Sequence, residues 1–158
     1  MVHMSEKNRA SGKNKSISKF QCLFSNEAKA KELLNAVFNT DLVEKDEIKL
    51  CNISSNKPFL HNSLTFLANN RLFIVCDCKD PPSDDIVWSF IGHYTETLFS
   101  LPELSDKLLY SRQLVKIPSP RFAILYHGKS PLEKHELRID SPHMQASVKI
   151  VDNNRHRT

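Results

Sequence analysis

Residues 62–79 read NSLTFLANNRLFIVCDCK, and this stretch decides the fold. Two apolar runs flank the pair Asn69-Asn70, a dipeptide typical of a tight turn between antiparallel strands. The stretch therefore predicts a β-hairpin with strands over about residues 59–68 and 71–78. The second strand is apolar at every position from 72 to 76, which predicts burial on both of its faces.

Two charged residues close this strand, Asp77 and Lys79. Successive side chains of a strand alternate between faces, so these two project to the same side. One interpretation is chemical: a carboxylate binds a divalent metal ion while the lysine orients water or stabilises charge on a phosphate. The other interpretation is a salt bridge where the strand meets solvent.

The remaining pattern predicts helices and strands on either side of the hairpin. The predicted elements are a helix over about 25–39 capped by Ser25, a strand over 47–53, a helix from a Ser83 cap to Ser100, strands over 113–117 and 122–126 separated by Pro118-Ser119-Pro120, and an edge strand over 136–139. Helix, strands, helix and strands together indicate an α/β or α+β fold, with a mixed sheet flanked by helices.

Length and composition favour one folded domain with charged ends. The chain has 158 residues, 40% of them hydrophobic, and a formal net charge of +4. Residues 1–19 are predicted to form a disordered basic arm, 20–140 the domain, and 141–158 a flexible basic tail. Lys15 and Lys19 of the arm are candidate contacts to nucleic-acid phosphates, and plain solvation of the arm is the alternative.

Several classes of protein are not expected. No apolar run approaches the length of a membrane span and no secretion signal is evident, so a cytoplasmic protein without a membrane partner is predicted. The four cysteines are expected to be reduced thiols. With three glycines, the chain has no glycine-rich phosphate loop, which argues against a nucleotide cofactor.

Four segments follow one another in an order that resembles the Rpn-type recombination-promoting nuclease and putative transposase family of the PD-(D/E)XK nuclease superfamily. They are FQCLFS at 20–25, ELLNA at 32–36, the hairpin at 62–79 and KIPSPRFAILYHG at 116–128. The last is the most specific, because family members commonly carry K-x-P-x-P before an apolar strand that ends in Tyr-x-Gly. The resemblance runs from about residue 20 to residue 137.

The resemblance implies a PD-(D/E)XK nuclease-like fold, DNA as partner and Mg²⁺-dependent cleavage of DNA phosphodiester bonds. It implies that Asp77 binds the metal, that Lys79 positions water or phosphate, and that Glu32 assists catalysis. The first metal-binding aspartate of the family falls on Ser63, whose neutral hydroxyl replaces none of the lost charge. Cleavage is therefore expected to be impaired. A family arginine and tyrosine on the next helix fall on Ser89 and His93.

Other interpretations stay open. A non-catalytic descendant that binds DNA or protein, or a remnant of a mobile element, fits the substituted site. Family members are usually nearly twice as long, so a truncated copy is expected. Glu32 is alternatively a solvent-facing helix residue. Asp80, Asp84 and Asp85 lie just beyond the strand and are candidates to replace the lost ligand from a loop; charge complementarity at a helix N-terminus is the alternative. Sequence preference and oligomeric state do not follow from the sequence.

Overall fold

The computed structural model describes residues 22, 24, 26–51, 60, 63–113, 115–141 and 144–152. The helices are α1 (Glu27–Phe38), α2 (Ile86–Ser100) and α3 (Pro102–Tyr110), and the strands are β1 (Lys49–Leu50), β2 (Leu64–Ala68), β3 (Arg71–Cys78), β4 (Ser119–Tyr126), β5 (Glu136–Ser141) and β6 (Met144–Asp152). The basic arm expected at 1–19 lies outside these described residues. None of the described helices is both long and apolar enough to cross a bilayer.

The six strands of the described residues form one mixed sheet in the order β1-β2-β3-β4-β6-β5. β3, β4 and β6 run parallel, whereas β1, β2 and β5 are antiparallel to their neighbours. Cys78, Tyr126 and Asp152 stand in one lateral row, so the three parallel strands end at the same edge of the sheet. The predicted α+β class, with a mixed sheet flanked by helices, is confirmed.

The hairpin between β2 and β3 turns at Asn69 and Asn70. Their φ angles are 50° and 60°, the left-handed region that a two-residue turn of this hairpin type requires and that asparagine tolerates. β3 begins at Arg71 and ends at Cys78, which are the bounds predicted from its apolar run.

β3 is buried on both faces, as its sequence predicts. Phe73 and Val75 lie in an apolar cluster with α1, whereas Ile74 and Cys76 lie in a second cluster beneath α2. The sheet thus has an α1 face and an α2 face. Because side chains alternate along a strand, Asp77 belongs to the α1 face.

α1 begins one residue later than predicted. Asn26 is its N-cap, and the side-chain Oδ1 accepts hydrogen bonds from the backbone N–H groups of Ala28 and Lys29 at 2.9 and 3.3 Å. The predicted cap, Ser25, lies outside the described residues. Asn39 ends the helix with a φ of 56°.

Three predicted strands differ from the structure. The strand expected over about 59–68 is β2, which begins only at Leu64, and the described residues Leu60 and Ser63 precede it. The strand expected over 47–53 is the two-residue β1, and residues 52–59 lie outside the described part of the chain. The strand expected over 113–117 is wrong for 113 and 115–117, which belong to a non-helical, non-strand connection. The chain forms α3 just before this connection. Sequence periodicity missed α3 because none of its residues is buried.

β4 begins inside the proline-rich segment that was expected to interrupt the sheet. Ser119 pairs with Arg71 and Pro120 with Leu72. Pairing of β4 with β6 begins only at Ala123, so Pro120 lies where β4 has a single neighbour. A residue with one strand neighbour loses less from a missing N–H than a residue in the middle of a ladder.

The flexible tail expected from residue 141 is wrong for residues 144–152. These residues form β6, which lies between β4 and the edge strand β5. Ala146, Val148 and Ile150 recur at every second position and pack on the α2 face, which is the strand periodicity that the tail assignment overlooked. The predicted strand over 136–139 is confirmed as β5 at the sheet edge. Residues 153–158 lie outside the described part.

Candidate functional site

The candidate site lies at the carboxyl ends of β3 and β4. The Asp77 Oδ2 atom is 3.9 Å from Nε2 of His127, the residue that follows β4. Both side chains are partly open to solvent, with 27% of Asp77 and 35% of His127 exposed. At 3.9 Å the two groups do not form a hydrogen bond, but they attract each other whenever the imidazole is protonated.

The parallel register explains why these two residues meet. Asp77 stands beside Leu125, and the His127 N–H donates a hydrogen bond of 2.8 Å to the carbonyl of Cys78. His127, two residues beyond Leu125, therefore shares the α1 face with Asp77 and Lys79. The Lys79 side chain is exposed to solvent. One carboxylate, one imidazole and one ammonium thus occupy the same edge of one face.

Gly128 lets the chain turn closely over this edge. A Cβ atom at this position would collide with the carbonyl oxygen of Lys79 and with the hydroxyl and ring of Tyr126. The Tyr126 hydroxyl donates to the Ser130 carbonyl at 2.6 Å, and burial raises the pKa of this tyrosine. The Tyr-x-Gly segment therefore fixes the loop that carries His127 against the end of β3.

The thiols next to Asp77 are not nucleophiles. Burial, followed by the charges of Cys78 and Asp77, raises the pKa of Cys76 well above its usual value. Burial and the charges of Asp77 and Asp80 raise the pKa of the Cys78 thiol to about 11. Both thiols stay protonated at neutral pH, so neither is a reactive thiolate. All four cysteines are free; Cys51 and Cys76 are buried, Cys78 is half-buried, and Cys22 is exposed.

Ser63 belongs to the opposite face of the sheet from Asp77. Leu64 pairs with Val75 and Thr65 with Ile74, so Thr65 lies on the α2 face. The alternation places Ser63 on that same face. The Ser63 hydroxyl is buried and donates a hydrogen bond of 2.8 Å to the carbonyl of Leu60, whose side chain packs in the cluster beneath α2. The sheet therefore lies between Ser63 and the Asp77 carboxylate.

This placement gives a prediction for the variant Ser63→Asp. We expect it to lower the free energy of unfolding by about 1–3 kcal/mol, because a buried carboxylate replaces a donor and faces the Leu60 carbonyl. We also expect no gain in metal-dependent DNA cleavage. Urea denaturation and a plasmid cleavage assay measure the two effects, with Ser63→Ala as the matched control. Cleavage that rises in Ser63→Asp but not in Ser63→Ala would contradict the assignment of Ser63 to the α2 face.

Glu32 is exposed on the outer side of α1. Each helix residue is rotated by about 100° from the previous one, and the buried stripe of α1 runs through Ala30, Leu34 and Val37. Glu32 lies well away from that stripe and lines a separate cavity of about 440 Å³ with Glu27 and other residues of α1 and the 42–44 segment. The structure thus brings Lys79 to the edge that carries Asp77, but not Glu32.

The two helix positions named by the resemblance lie on α2. His93 is buried, and its Nε2 atom is 3.3 Å from the Thr65 hydroxyl on the α2 face of the sheet. Ser89 is half-buried. His93 therefore ties α2 to β2 and is separated from Asp77 by the sheet.

The other candidates are remote or undescribed. Asp84 pairs with Lys134 at 3.2 Å, and Asp85 precedes α2 without a side-chain capping hydrogen bond. Lys15 and Lys19 lie outside the described residues. Within the described part of the chain, no group of three or more histidine, cysteine, aspartate or glutamate side chains is placed to hold a metal ion.

Asp77 and His127 are the two possible metal donors whose side chains approach each other at this edge. Asp80 lies just beyond it, in the loop after β3, and its charge contributes to the raised pKa of Cys78. Mg²⁺ prefers several oxygen ligands in a near-octahedral arrangement, which a single carboxylate and an imidazole do not supply. A transition ion such as Mn²⁺ accepts carboxylate oxygen and, better than Mg²⁺ does, imidazole nitrogen. The donor set therefore fits Mn²⁺ better than the Mg²⁺ that the resemblance implies.

His127 is the residue of this site that sequence patterns did not single out. A parallel arrangement of the two strands that precede Lys79 and His127 would have indicated it. If the strands over 71–78 and 122–126 run parallel, the residues after each strand meet at one edge, and His127 directly follows the second apolar run.

No protein-family model, no curated protein and no solved structure matches this chain.

Proposed function

We propose that this chain is a divergent PD-(D/E)XK-type nuclease, related to the Rpn recombination-promoting nucleases and transposases, that cleaves DNA phosphodiester bonds slowly with a divalent metal ion. The observation that carries this proposal is the approach of Asp77 and His127 at one solvent-open edge of a mixed sheet, with the exposed Lys79 two residues after Asp77. The helix-flanked sheet and the motif segments at 62–79 and 116–128 add support.

Asp77 would hold the metal ion through its carboxylate, with His127 as the second donor. A bound divalent ion supplies a Lewis acid for the phosphoryl oxygen and lowers the pKa of its water. The Lys79 ammonium would stabilise the charge that develops on the phosphate. Because β3 and β4 are both hydrogen-bonded in the sheet, Asp77 and His127 are held on rigid supports.

Slow cleavage follows from the missing carboxylates. Ser63 lies on the other face, and Glu32 lies on the outer side of α1. One carboxylate and one neutral imidazole bring a single negative charge to the ion, which weakens its binding relative to a site with two or three carboxylates.

We also propose a cytoplasmic location, where the thiols of Cys51, Cys76 and Cys78 would stay reduced.

A non-catalytic DNA-binding or protein-binding descendant is the second candidate. It is favoured by the lack of a cluster of three ligating side chains among the described residues. The resemblance also allows a remnant of a mobile element, which neither cleaves nor binds.

Cleavage of supercoiled plasmid separates these candidates. The native protein is incubated with Mn²⁺, with Mg²⁺ or with a chelator, and the nicked and linear forms are quantified. We expect slow nicking that is faster with Mn²⁺ than with Mg²⁺ and stops with the chelator. No nicking with either ion would overturn the nuclease and leave the binding protein or the remnant.

A further inference from the structure

The half of the sheet that α1 does not cover has an open, positively charged face. On the α1 side, the apolar cluster reaches from β2 to Leu125 of β4 and to Val151 near the end of β6. Before Val151, the outward residues Ser147 and Lys149 of β6 are exposed, whereas Val148 and Ile150 of the same strand are buried on the α2 face. The open face therefore spans the first part of β4, β6 as far as Lys149, and β5.

Three cations from three neighbouring strands line one cavity on this face. Arg121 of β4, Lys149 of β6 and Arg138 of β5 surround a cavity of about 530 Å³ together with Gln145 and Ser147. The register places Ser147 beside Arg138, and extending the β4–β6 pairing by two residues places Arg121 on the other side of Ser147. The two guanidinium groups thus flank a hydroxyl in one lateral row, with Lys149 in the next row.

Few of the described carboxylates lie near Arg121, Arg138 and Lys149. Glu136 is the one carboxylate of this face among the side chains that the structure describes on these three strands, and it lies 3.4 Å from Arg138. Arg121 donates a hydrogen bond to the carbonyl of Pro120 at 2.9 Å, and Lys149 donates to the carbonyl of Val37 at 2.7 Å. These carbonyl contacts orient two of the cations without neutralising their charge. Among the described side chains of this face, three cations stand against one carboxylate, a balance that complements a polyanion.

This face is continuous with the candidate site. Asp77 and Lys149 lie on the same side of the sheet, two strands and two register positions apart. Strand spacings of about 4.8 Å and rises of about 3.3 Å per residue separate their Cα atoms by about 12 Å. A chain of phosphates that lies across the cations therefore passes close to the edge where Asp77 and His127 meet.

We infer that the open face of β4, β6 and β5 binds the phosphate backbone of DNA through Arg121, Arg138 and Lys149, and that it guides the strand toward Asp77. The guiding role rests on the proposed nuclease function, whereas the binding role does not. Arginines suit this task because the planar guanidinium donates two hydrogen bonds at once to phosphate oxygens. Ser147 and Gln145 add uncharged polar groups between the cations.

The test is DNA binding by fluorescence anisotropy in the presence of a chelator, so that no cleavage occurs. A short fluorescein-labelled duplex is titrated with the full chain over a range of KCl concentrations. The variant R121Q/R138Q removes two cations of the face and leaves the Lys149 contact to α1 intact. The control K107Q/R112Q removes two exposed cations on and just after α3, with the same change in net charge.

We expect R121Q/R138Q to bind roughly 10- to 100-fold more weakly at about 100 mM KCl, with a salt slope smaller by about 2. The control should keep the native affinity within about threefold and keep the native slope. Conversely, Glu136→Gln should tighten binding. Equal losses in both double variants, or native binding that neither variant weakens, would overturn the assignment of this face, as would a native chain that does not bind DNA.

The outcomes for the face and for the nuclease are distinguishable. A native protein that never cleaves plasmid, but loses DNA binding in R121Q/R138Q, supports the DNA-binding face and overturns the nuclease. A protein that cleaves in an Asp77-dependent manner, but binds DNA equally well in both double variants, overturns the face and supports the nuclease.

Discussion

Replacing Asp77 with asparagine is expected to slow Mn²⁺-dependent plasmid cleavage by roughly 100-fold or more. Asparagine keeps the size of the side chain but removes the negative charge with which Asp77 would bind a metal ion. A bound metal contributes several kcal/mol of transition-state stabilisation, and each 1.36 kcal/mol corresponds to about tenfold in rate. The rate of loss of supercoiled plasmid, measured at saturating protein, reports the effect.

The matched control is Asp106→Asn. Asp106 is exposed on α3, which leads into β4 from the edge opposite the carboxyl ends, and its replacement causes the same change in charge. We expect this variant to cleave at the native rate. Equal rates for Asp77→Asn and the native protein would exclude Asp77 as the metal ligand of any observed cleavage.

The variant Phe90→Ala is expected to lower the free energy of unfolding by about 3–5 kcal/mol. Phe90 of α2 is fully buried, and its ring centroid lies 5.1 Å from that of Phe122 on β4. Its loss leaves a cavity between α2 and the sheet, where apolar area returns to water and packing contacts disappear. Guanidinium or urea denaturation followed by circular dichroism measures the change.

Phe99→Ala is the control on the same helix. Phe99 is 44% exposed, so its truncation is expected to cost less than about 1 kcal/mol. Similar losses for Phe90→Ala and Phe99→Ala would contradict the packing of α2 on the sheet through Phe90.

The sequence predicts best those helices and strands in which apolar residues form a long run or recur at regular spacing. β3 and the end of α2 at Ser100 match their predicted bounds, because the apolar run of β3 ends at a turn and the apolar repeat of α2 ends just before Pro102. α3 has no buried residue, so no apolar stripe marked it. The sequence predicted a flexible tail in place of β6. Its alternate residues Gln145, Ser147 and Lys149 are polar, so the apolar residues between them, which are buried on the other face, did not stand out.

The candidate site could be predicted only in part, because its geometry depends on register. Strand alternation sufficed to place Asp77 and Lys79 on one face. The face of Ser63 depends on which residues of β2 and β3 stand opposite each other, and a shift of one residue reverses it. His127 joins the site through parallel pairing between strands that are far apart in the chain, which local patterns do not reveal.

Binding of Mn²⁺ is the most direct test of the claim that Asp77 and His127 form a metal site. Free Mn²⁺ is quantified by electron paramagnetic resonance during titration of the native protein and of the variants Asp77→Asn, His127→Gln and Asp106→Asn. We predict one site in the native protein, affinity at least about tenfold weaker in the first two variants, and native affinity in Asp106→Asn. Native binding that survives both Asp77→Asn and His127→Gln, or no binding by the native protein, would contradict the metal site at the carboxyl ends of β3 and β4.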